Sequence, residues 1–370
     1  MKRKIWIRSV AVTGTVAMLM SGCSMLGLGD KKAIDEPPQG SNEQQVAAQL
    51  EQNYTTAQGN QVKEPLTSPG VSSTSAQSQT AQTQGAITVY AKDVKGLVAP
   101  ITLHGAQNTA ATAKLALEYM VQGGPAQAQL PKGFTALLPQ GTKVDVTVDK
   151  QKVATVKFSK EVLNYDAADE RKMIEGIAWT LTSFPTIDKV AIQVDGKDLK
   201  QMPKAKLPLD APVNRSLGIN LEKVDGVDYG QTTAVTVYYM NQTDANYKYY
   251  VPVTRLVART NDIPAAVMEQ LIHGANSNKG LTSPVSAKTT VMNLKPSDGL
   301  LTVNLSKEIL NAQGKAPAEA LDAIILSLTE STNVSKVQLM VNNDVQFTSS
   351  DNKSYAKPVT RPIVLNATKS

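Results

Sequence analysis

Ser159, Lys160 and Glu161 stand side by side in "TVKFSKEVLN" (155–164), and Ser306, Lys307 and Glu308 repeat the arrangement in "TVNLSKEILN" (302–311). A hydroxyl activated by a lysine amine can open acyl-transfer chemistry, provided the amine lies within hydrogen-bond reach of the oxygen. Direct neighbours do not meet that need. On a strand they point to opposite faces, and on a helix they diverge by about a quarter-turn. The spacing argues instead for punctuation. Val156 and Phe158 finish a strand, Ser159 or Ser306 caps the turn that follows, and Val162/Ile309 with Leu163/Leu310 bury it.

Two glutamate pairs also recur, Glu118 with Glu269 and Glu161 with Glu308. Paired carboxylates could flank a glycosidic bond. Glutamates in mid-helix or in a first turn read more simply as solvated, held by the helix dipole or by i, i+4 partners. The two histidines, His104 and His273, are not equivalent in the repeat: His273 aligns with Gln122 and His104 falls near Leu256. A duplicated metal site or His-based triad is therefore excluded. No G-x-S-x-G, G-x-x-x-x-G-K-[ST] or G-x-G-x-x-G occurs. The expectation is a protein that is not an enzyme, with no catalytic, cofactor-binding or metal-ligating residue.

The elements that carry these residues come twice. "ITVYAKD" (87–93) answers to "VTVYYMN" (235–241), "LVAPIT" (97–102) to "YYVPVT" (249–254), and "LEYMVQGG" (117–124) to "MEQLIHGA" (268–275). After the decapeptides, "IEGIAWTLT" (174–182) pairs with "LDAIILSLT" (321–329), "DKVAIQV" (188–194) with "SKVQLMV" (335–341), and "PVNRSLGIN" (212–220) with "PVTRPIVLN" (358–366). An offset of 146 to 152 is kept throughout, so two tandem domains are read, 86–222 and 233–370, joined by "EKVDGVDYGQ" (222–231).

Within each copy, Ile87/Val89 and Val235/Val237 alternate as in a strand. Ala116, Leu117, Met120 and Val121 match Val267, Met268, Leu271 and Ile272 at helical spacing, each run ending at a glycine, Gly123 or Gly274. Asn261 or Asp262 before Pro264 marks a helix start. Val144–Val148 and Ala154–Phe158 alternate around "DKQK" as a hairpin. Ile174, Ile177, Ala178 and Leu181, like Leu321, Ile324, Ile325 and Leu328, follow a core-facing helix. A last strand carries Val190, Ile192 and Val194 or Val337, Leu339 and Val341. The order predicts an α+β fold, two tandem copies of a β-α-β-β-α-β domain in which two helices pack on one small sheet.

Residues 1–22 read as a lipoprotein signal peptide. Lys2, Arg3, Lys4 and Arg8 precede an apolar run from Val10 to Met20, too short to span a bilayer, and "LMSGC" ends at Cys23, the single cysteine. Small residues before that thiol fit a lipobox, with Met20 where Leu is more usual. Cys23 is then the lipid-attachment residue, bearing S-diacylglycerol and an N-acyl chain such as palmitate; two chains supply the double signal that stable anchoring needs. Residues 23–85 are rich in Gln, Ser, Thr, Ala and Gly and read as a disordered tether with a mean span of roughly 40–45 Å. The net charge of +6 includes +4 from the signal peptide, leaving 6 − 4 = +2. That balance, with few aromatics, gives no footprint for nucleic acid.

The lipobox, the tether and two copies of "ITVYAKD … SKEVLN … IAWTLTSFPTIDKVAIQVDG … PVNRSLGIN" resemble the GerMN-domain sporulation and germination lipoproteins of endospore-forming bacteria. The resemblance implies an α/β build similar to the ring-building motifs of secretion systems, and a part in sporulation and germination. It implies a place on the extracytoplasmic face of the cell membrane, in the intermembrane space during sporulation. It further implies a scaffold role in a trans-envelope complex between mother cell and forespore. Implied partners are the lipid bilayer, envelope proteins of that complex and further copies in a homo-oligomer or ring. The alternative reading is a peptidoglycan-binding or wall-remodelling module. The resemblance carries over no catalytic residue and no cofactor.

Overall fold

The computed structural model describes residues 85–104, 112–227, 229–275 and 279–368. The signal peptide, Cys23 and the tether read in the sequence lie outside the described residues. In the first repeat, β1 (Ile87–Asp93) and β2 (Val98–Leu103) form an antiparallel hairpin whose turn contains Gly96 at φ 77°. Helix α1 (Thr112–Glu118) follows, then the short β3 (Phe134–Thr135) on the other edge of β1. A second hairpin, β4 (Val144–Val148) and β5 (Val153–Phe158), leads into α2 (Glu170–Leu181) and β6 (Lys189–Val194), which lies parallel to β5. The short strands β7 (Lys197–Asp198) and β8 (Glu222–Lys223) complete the first half.

The second repeat retraces this path: β9 (Thr232–Gln242), β10 (Lys248–Ala258), α3 (Ile263–His273), β11 (Val291–Ser297), β12 (Leu300–Leu305), α4 (Ala318–Ser331), β13 (Lys336–Val341) and β14 (Val359–Thr360). The α+β class and its duplication stand as read. The strand inventory is richer than β-α-β-β-α-β, because β2 and β10 are strands in their own right. Each repeat therefore distributes its strands over two small sheets, a hairpin sheet and a four-stranded sheet ordered β4-β5-β6-β7 or β11-β12-β13-β14. All six β2 residues are buried, so that strand lacks the half-buried alternation that betrays a strand in sequence.

The core follows the predicted periodicities. Ala154, Val156 and Phe158 of β5, Val190, Ile192 and Val194 of β6, and Ile174, Ile177, Ala178 and Leu181 of α2 are all buried. Their counterparts Leu321, Ile324, Ile325 and Leu328 of α4 are as well. One continuous apolar cluster runs through both repeats. Helix α2 also staples β1: Tyr90 N–H, left without a strand partner, donates to Thr180 Oγ1 at 3.1 Å, and Tyr238 N–H donates to Ser327 Oγ at 2.9 Å in the second copy.

Helix starts and stops agree in one repeat and differ in the other. Asp262 caps α3 by accepting from Ala265 N–H at 3.1 Å, Pro264 occupies the first turn, and Gly274 ends the helix at φ 95°. Helix α1 stops at Glu118, so Met120 and Val121 lie beyond it and do not continue the helix to Gly123. The chain tightens there, with Met120 N–H on Leu117 O, and Gln122 N–H is then captured by Leu138 O at 2.9 Å.

Glu170, fully buried at the first turn of α2, pins the 204–207 loop to that turn. Its Oε2 accepts from Tyr165 OH at 2.7 Å, Lys204 N–H at 2.8 Å and Ala205 N–H at 2.9 Å, and Oε1 accepts from Leu207 N–H at 3.0 Å. Burial pushes this carboxyl up, but those donors outweigh it and hold it below the usual range. Glu170→Gln replaces acceptor capacity with an amide donor and should cost about 2 kcal/mol. Denaturant unfolding, with faster hydrogen exchange at Lys204, Ala205 and Leu207, is the check.

Candidate functional site: the junction between the repeats

The repeated Ser-Lys-Glu stands where a strand ends. Ser159 precedes the 3-10 turn Lys160–Leu163, and Ser306 precedes Lys307–Ile309. Neither hydroxyl caps its turn, contrary to the expectation from sequence. Instead, Ser159 Oγ accepts from Lys143 N–H at 3.0 Å while its own N–H donates to Lys143 O at 3.0 Å. Ser306 makes the same bracket with Thr290, at 3.0 Å and 2.9 Å. The serine is thus spent on tying the turn to the start of the neighbouring edge strand. The hydroxyl also serves Glu161 or Glu308 two residues on, holding each carboxyl below its usual range.

The other residues considered for chemistry stay apart. Clefts of about 300, 310, 420 and 520 Å³ open on the surface, and none of these four is lined by more than one of Glu118, Glu161, Glu269 and Glu308. His104 follows β2 and His273 closes α3, both exposed. Among the described residues no group of three or more His, Cys, Asp and Glu is placed to hold a metal, and no helix is long and apolar enough to cross a membrane.

What the fold does bring together is the end of each repeat and the heart of the other. Asn220 and Asn366 close the paired segments 212–220 and 358–366, and both adopt left-handed backbone, at φ 48° and 51°. Asn220 Oδ1 accepts from Val98 N–H at 2.8 Å, while its Nδ2 donates to Val98 O at 2.7 Å and to Pro252 O at 2.8 Å. Asn366 Oδ1 accepts from Tyr250 N–H at 2.7 Å, and its Nδ2 donates to Tyr250 O at 2.8 Å and Pro100 O at 2.7 Å. Val98 matches Tyr250 and Pro100 matches Pro252, so each asparagine grips its own repeat and the other in the same way. A pseudo-two-fold relation follows.

The residue before each asparagine crosses over completely. Ile219 N–H donates to Thr254 Oγ1 at 2.9 Å and Thr254 N–H to Ile219 O at 2.8 Å. Leu365 N–H donates to Thr102 Oγ1 at 2.9 Å and Thr102 N–H to Leu365 O at 3.0 Å. Each tail therefore adds to the outer edge of the other repeat's hairpin, and the first tail continues as β8, parallel to β10. The unpaired edges that β2 and β10 would present are covered by this exchange.

Arg215 and Arg361, equivalent residues of the two tails, converge on one carboxylate. Arg215 Nη1 lies 2.8 and 2.7 Å from the two oxygens of Glu330, and Arg361 Nη2 lies 2.7 Å from Oε2. Each guanidinium is aimed by its own repeat: Arg215 donates to Thr182 Oγ1 and Trp179 O, and Arg361 to Thr329 Oγ1 and Leu326 O, at matching positions of α2 and α4. Trp179 and Tyr238 each offer a ring face, 4.6 and 5.1 Å from the guanidinium carbons. Burial alone would raise the Glu330 carboxyl, but the two arginines outweigh it and hold it low.

A second pair of matched positions meets nearby. Buried Asp93 spends Oδ1 on Lys95 and Leu97 N–H, both at 2.8 Å, and Oδ2 on Tyr249 OH at 2.7 Å and on its own counterpart Asn241 at 3.4 Å. Sequence reasoning quoted the tail motifs as repeats and assigned them no role. The retained Arg and Asn at their fourth and ninth positions were the available signal. Glu330 gave none, because its counterpart is Ser183.

A duplicated α+β domain, tail-exchanged into one body, defines a tandem-repeat α+β protein. Comparison with known proteins names the class. The family model Germane, described as "Sporulation and spore germination", matches residues 88–200 and 236–346, and the chain belongs to that family. The chain is 34% identical over 360 residues to spore germination protein GerM of Bacillus subtilis (strain 168), covering 95% of each chain. It is also similar to the solved tandem GerMN domains of the sporulation protein GerM from Bacillus subtilis. That match is 36% identical, with a TM-score of 0.71, over 76% of this chain and 99% of that one.

Proposed function

We propose that the chain is a lipid-anchored envelope protein of sporulation and germination, and that it acts by binding rather than by catalysis. In this reading it is a scaffold for a trans-envelope complex between mother cell and forespore. Cys23 carries the acyl chains, the tether lifts the folded body off the outer face of the membrane, and the two repeats offer surfaces to envelope partners or to further copies in an oligomer or ring. The observation that carries the reading is the tail exchange, which makes two domains one body with related surfaces on either side of a pseudo-two-fold axis. Family membership and the lipobox support it.

Crosslinking followed by pull-down from membranes of sporulating cells should recover envelope proteins. Recovery of the protein with pelleted purified peptidoglycan, and no protein partner, would instead establish the wall-binding reading. Cys23→Ala should move the protein from the membrane to the soluble fraction on cell fractionation. Retention on the membrane would remove the lipid anchor from the proposal.

A further inference from the structure

The contacts at the pseudo-two-fold axis are geometrically matched but chemically unequal. Several of the residues that meet there have like counterparts: Pro100 and Pro252, Thr102 and Thr254, Arg215 and Arg361. Others do not, among them Tyr249, which donates to Asp93 and whose counterpart is Leu97; two of these carry charge. Where the second repeat places Glu330 the first has Ser183, whose Oγ turns back to Thr180 O at 2.6 Å. Where the second repeat places Asn241 the first has Asp93.

These differences act on any exchange of partners between copies. A first repeat facing another first repeat would set Asp93 against Asp93 and bring two Arg215 side chains together with no carboxylate between them. The first is a like-charge contact taken out of water and the second one between partly solvated groups, and both are unfavourable. A second repeat facing another second repeat would set the Asn241 amides together, each with a donor and an acceptor to offer. It would also supply two Arg361 and two Glu330, a neutral set. The grips of Asn366 and Leu365 would survive too, because Asn366 would find Pro252 O in place of Pro100 O, and Leu365 would find Thr254 in place of Thr102, while Arg255 would exchange Glu222 for Thr368.

We propose that Glu330 and Asp93 form a pairing code. It bars first-with-first contacts and permits second-with-second ones, so a chain whose repeats part can join a second copy of itself through the second repeat alone. The partner is another copy of this chain, and the surface is the face of the second repeat that now holds the first. The inference stands on the junction geometry and does not depend on the scaffold reading.

The test uses the mature chain, from residue 23 onward, with Cys23→Ser removing the native thiol. Arg215→Glu and Arg361→Glu make the same charge change at the same three-residue bridge, and each sets a carboxylate against Glu330 within the chain. Only Arg215→Glu leaves the second repeat's face intact. Light scattering should show a doubled mass for Arg215→Glu, and added Asn241→Cys should give a disulfide-linked dimer on the axis. Arg361→Glu should remain monomeric. Dimers from both variants, or from neither, would overturn the code.

A gentler pair keeps the question answerable if those variants unfold. Glu330→Ser should lower the melting temperature, and adding Ser183→Glu moves the carboxylate across the axis without changing the composition of the bridge. The double variant should recover at least half of the loss. No recovery would show that positions 183 and 330 are not interchangeable, and the code would fail.

Discussion

Asn220→Ala is expected to lower the unfolding free energy by about 4 kcal/mol, counting about 1 for each of three lost hydrogen bonds to backbone groups and about 1 for alanine in left-handed backbone. The side chain is buried, and its partners Val98 and Pro252 belong to different repeats. Water cannot easily replace it, because the tail itself covers the strand edge. Asn220→Gly separates the two contributions: glycine accepts φ 48° freely, so that variant should lose only about 3 kcal/mol. Denaturant unfolding measures both. A loss below about 1 kcal/mol for the alanine variant would mean the tail is peripheral to stability.

Glu330→Gln should cost about 3 kcal/mol, the low end for breaking a buried ion pair, because Arg215 and Arg361 keep 27% and 28% of their side-chain exposure and remain partly solvated. The same residue gives the protein an acid limb. Its carboxyl is held below its unfolded range of about 4.3, so its contribution is complete above that value and is lost as pH falls through the folded one. Buried Glu175 and half-buried Asp322 run the other way. Burial raises both, so their ionisation with rising pH opposes folding. Between about pH 5 and pH 3 the wild-type melting temperature should therefore fall more steeply than that of Glu330→Gln. Parallel curves for the two proteins would assign the acid limb to other carboxylates, such as Glu170 and Asp169.

The parts of this molecule that were legible in its sequence are those governed by local period. Amphipathic helices such as α2 and α4, the hairpin around "DKQK" and the Asp262 cap each follow from residues within one or two turns of each other. Duplication itself was visible because the same local solutions recur. Strand β2 was not recognised, since full burial erases alternation, and the end of α1 was overrun because the apolar spacing continues past the point where Leu138 captures Gln122 N–H. Neighbour spacing argues against a dyad in the Ser-Lys-Glu, and its serine ties down an edge strand instead of capping a turn. That bond reaches back 16 residues to Lys143 or Thr290, beyond what a local pattern specifies. The junction was illegible for a related reason. Its bonds join residues 122, 116 and 266 positions apart, and no period connects them.

Those separations bear on the order in which the chain can fold. Contacts between residues far apart in sequence must wait for the loop between them to close, which slows folding. Asn220 cannot complete its set of bonds until β10 is in place, and Thr102 waits for Leu365, 263 residues later. A chain synthesised N-terminus first thus holds its first hairpin with an open edge until the second repeat is nearly complete. The last nine residues of the second repeat motif are the clasp that closes the first domain to have formed.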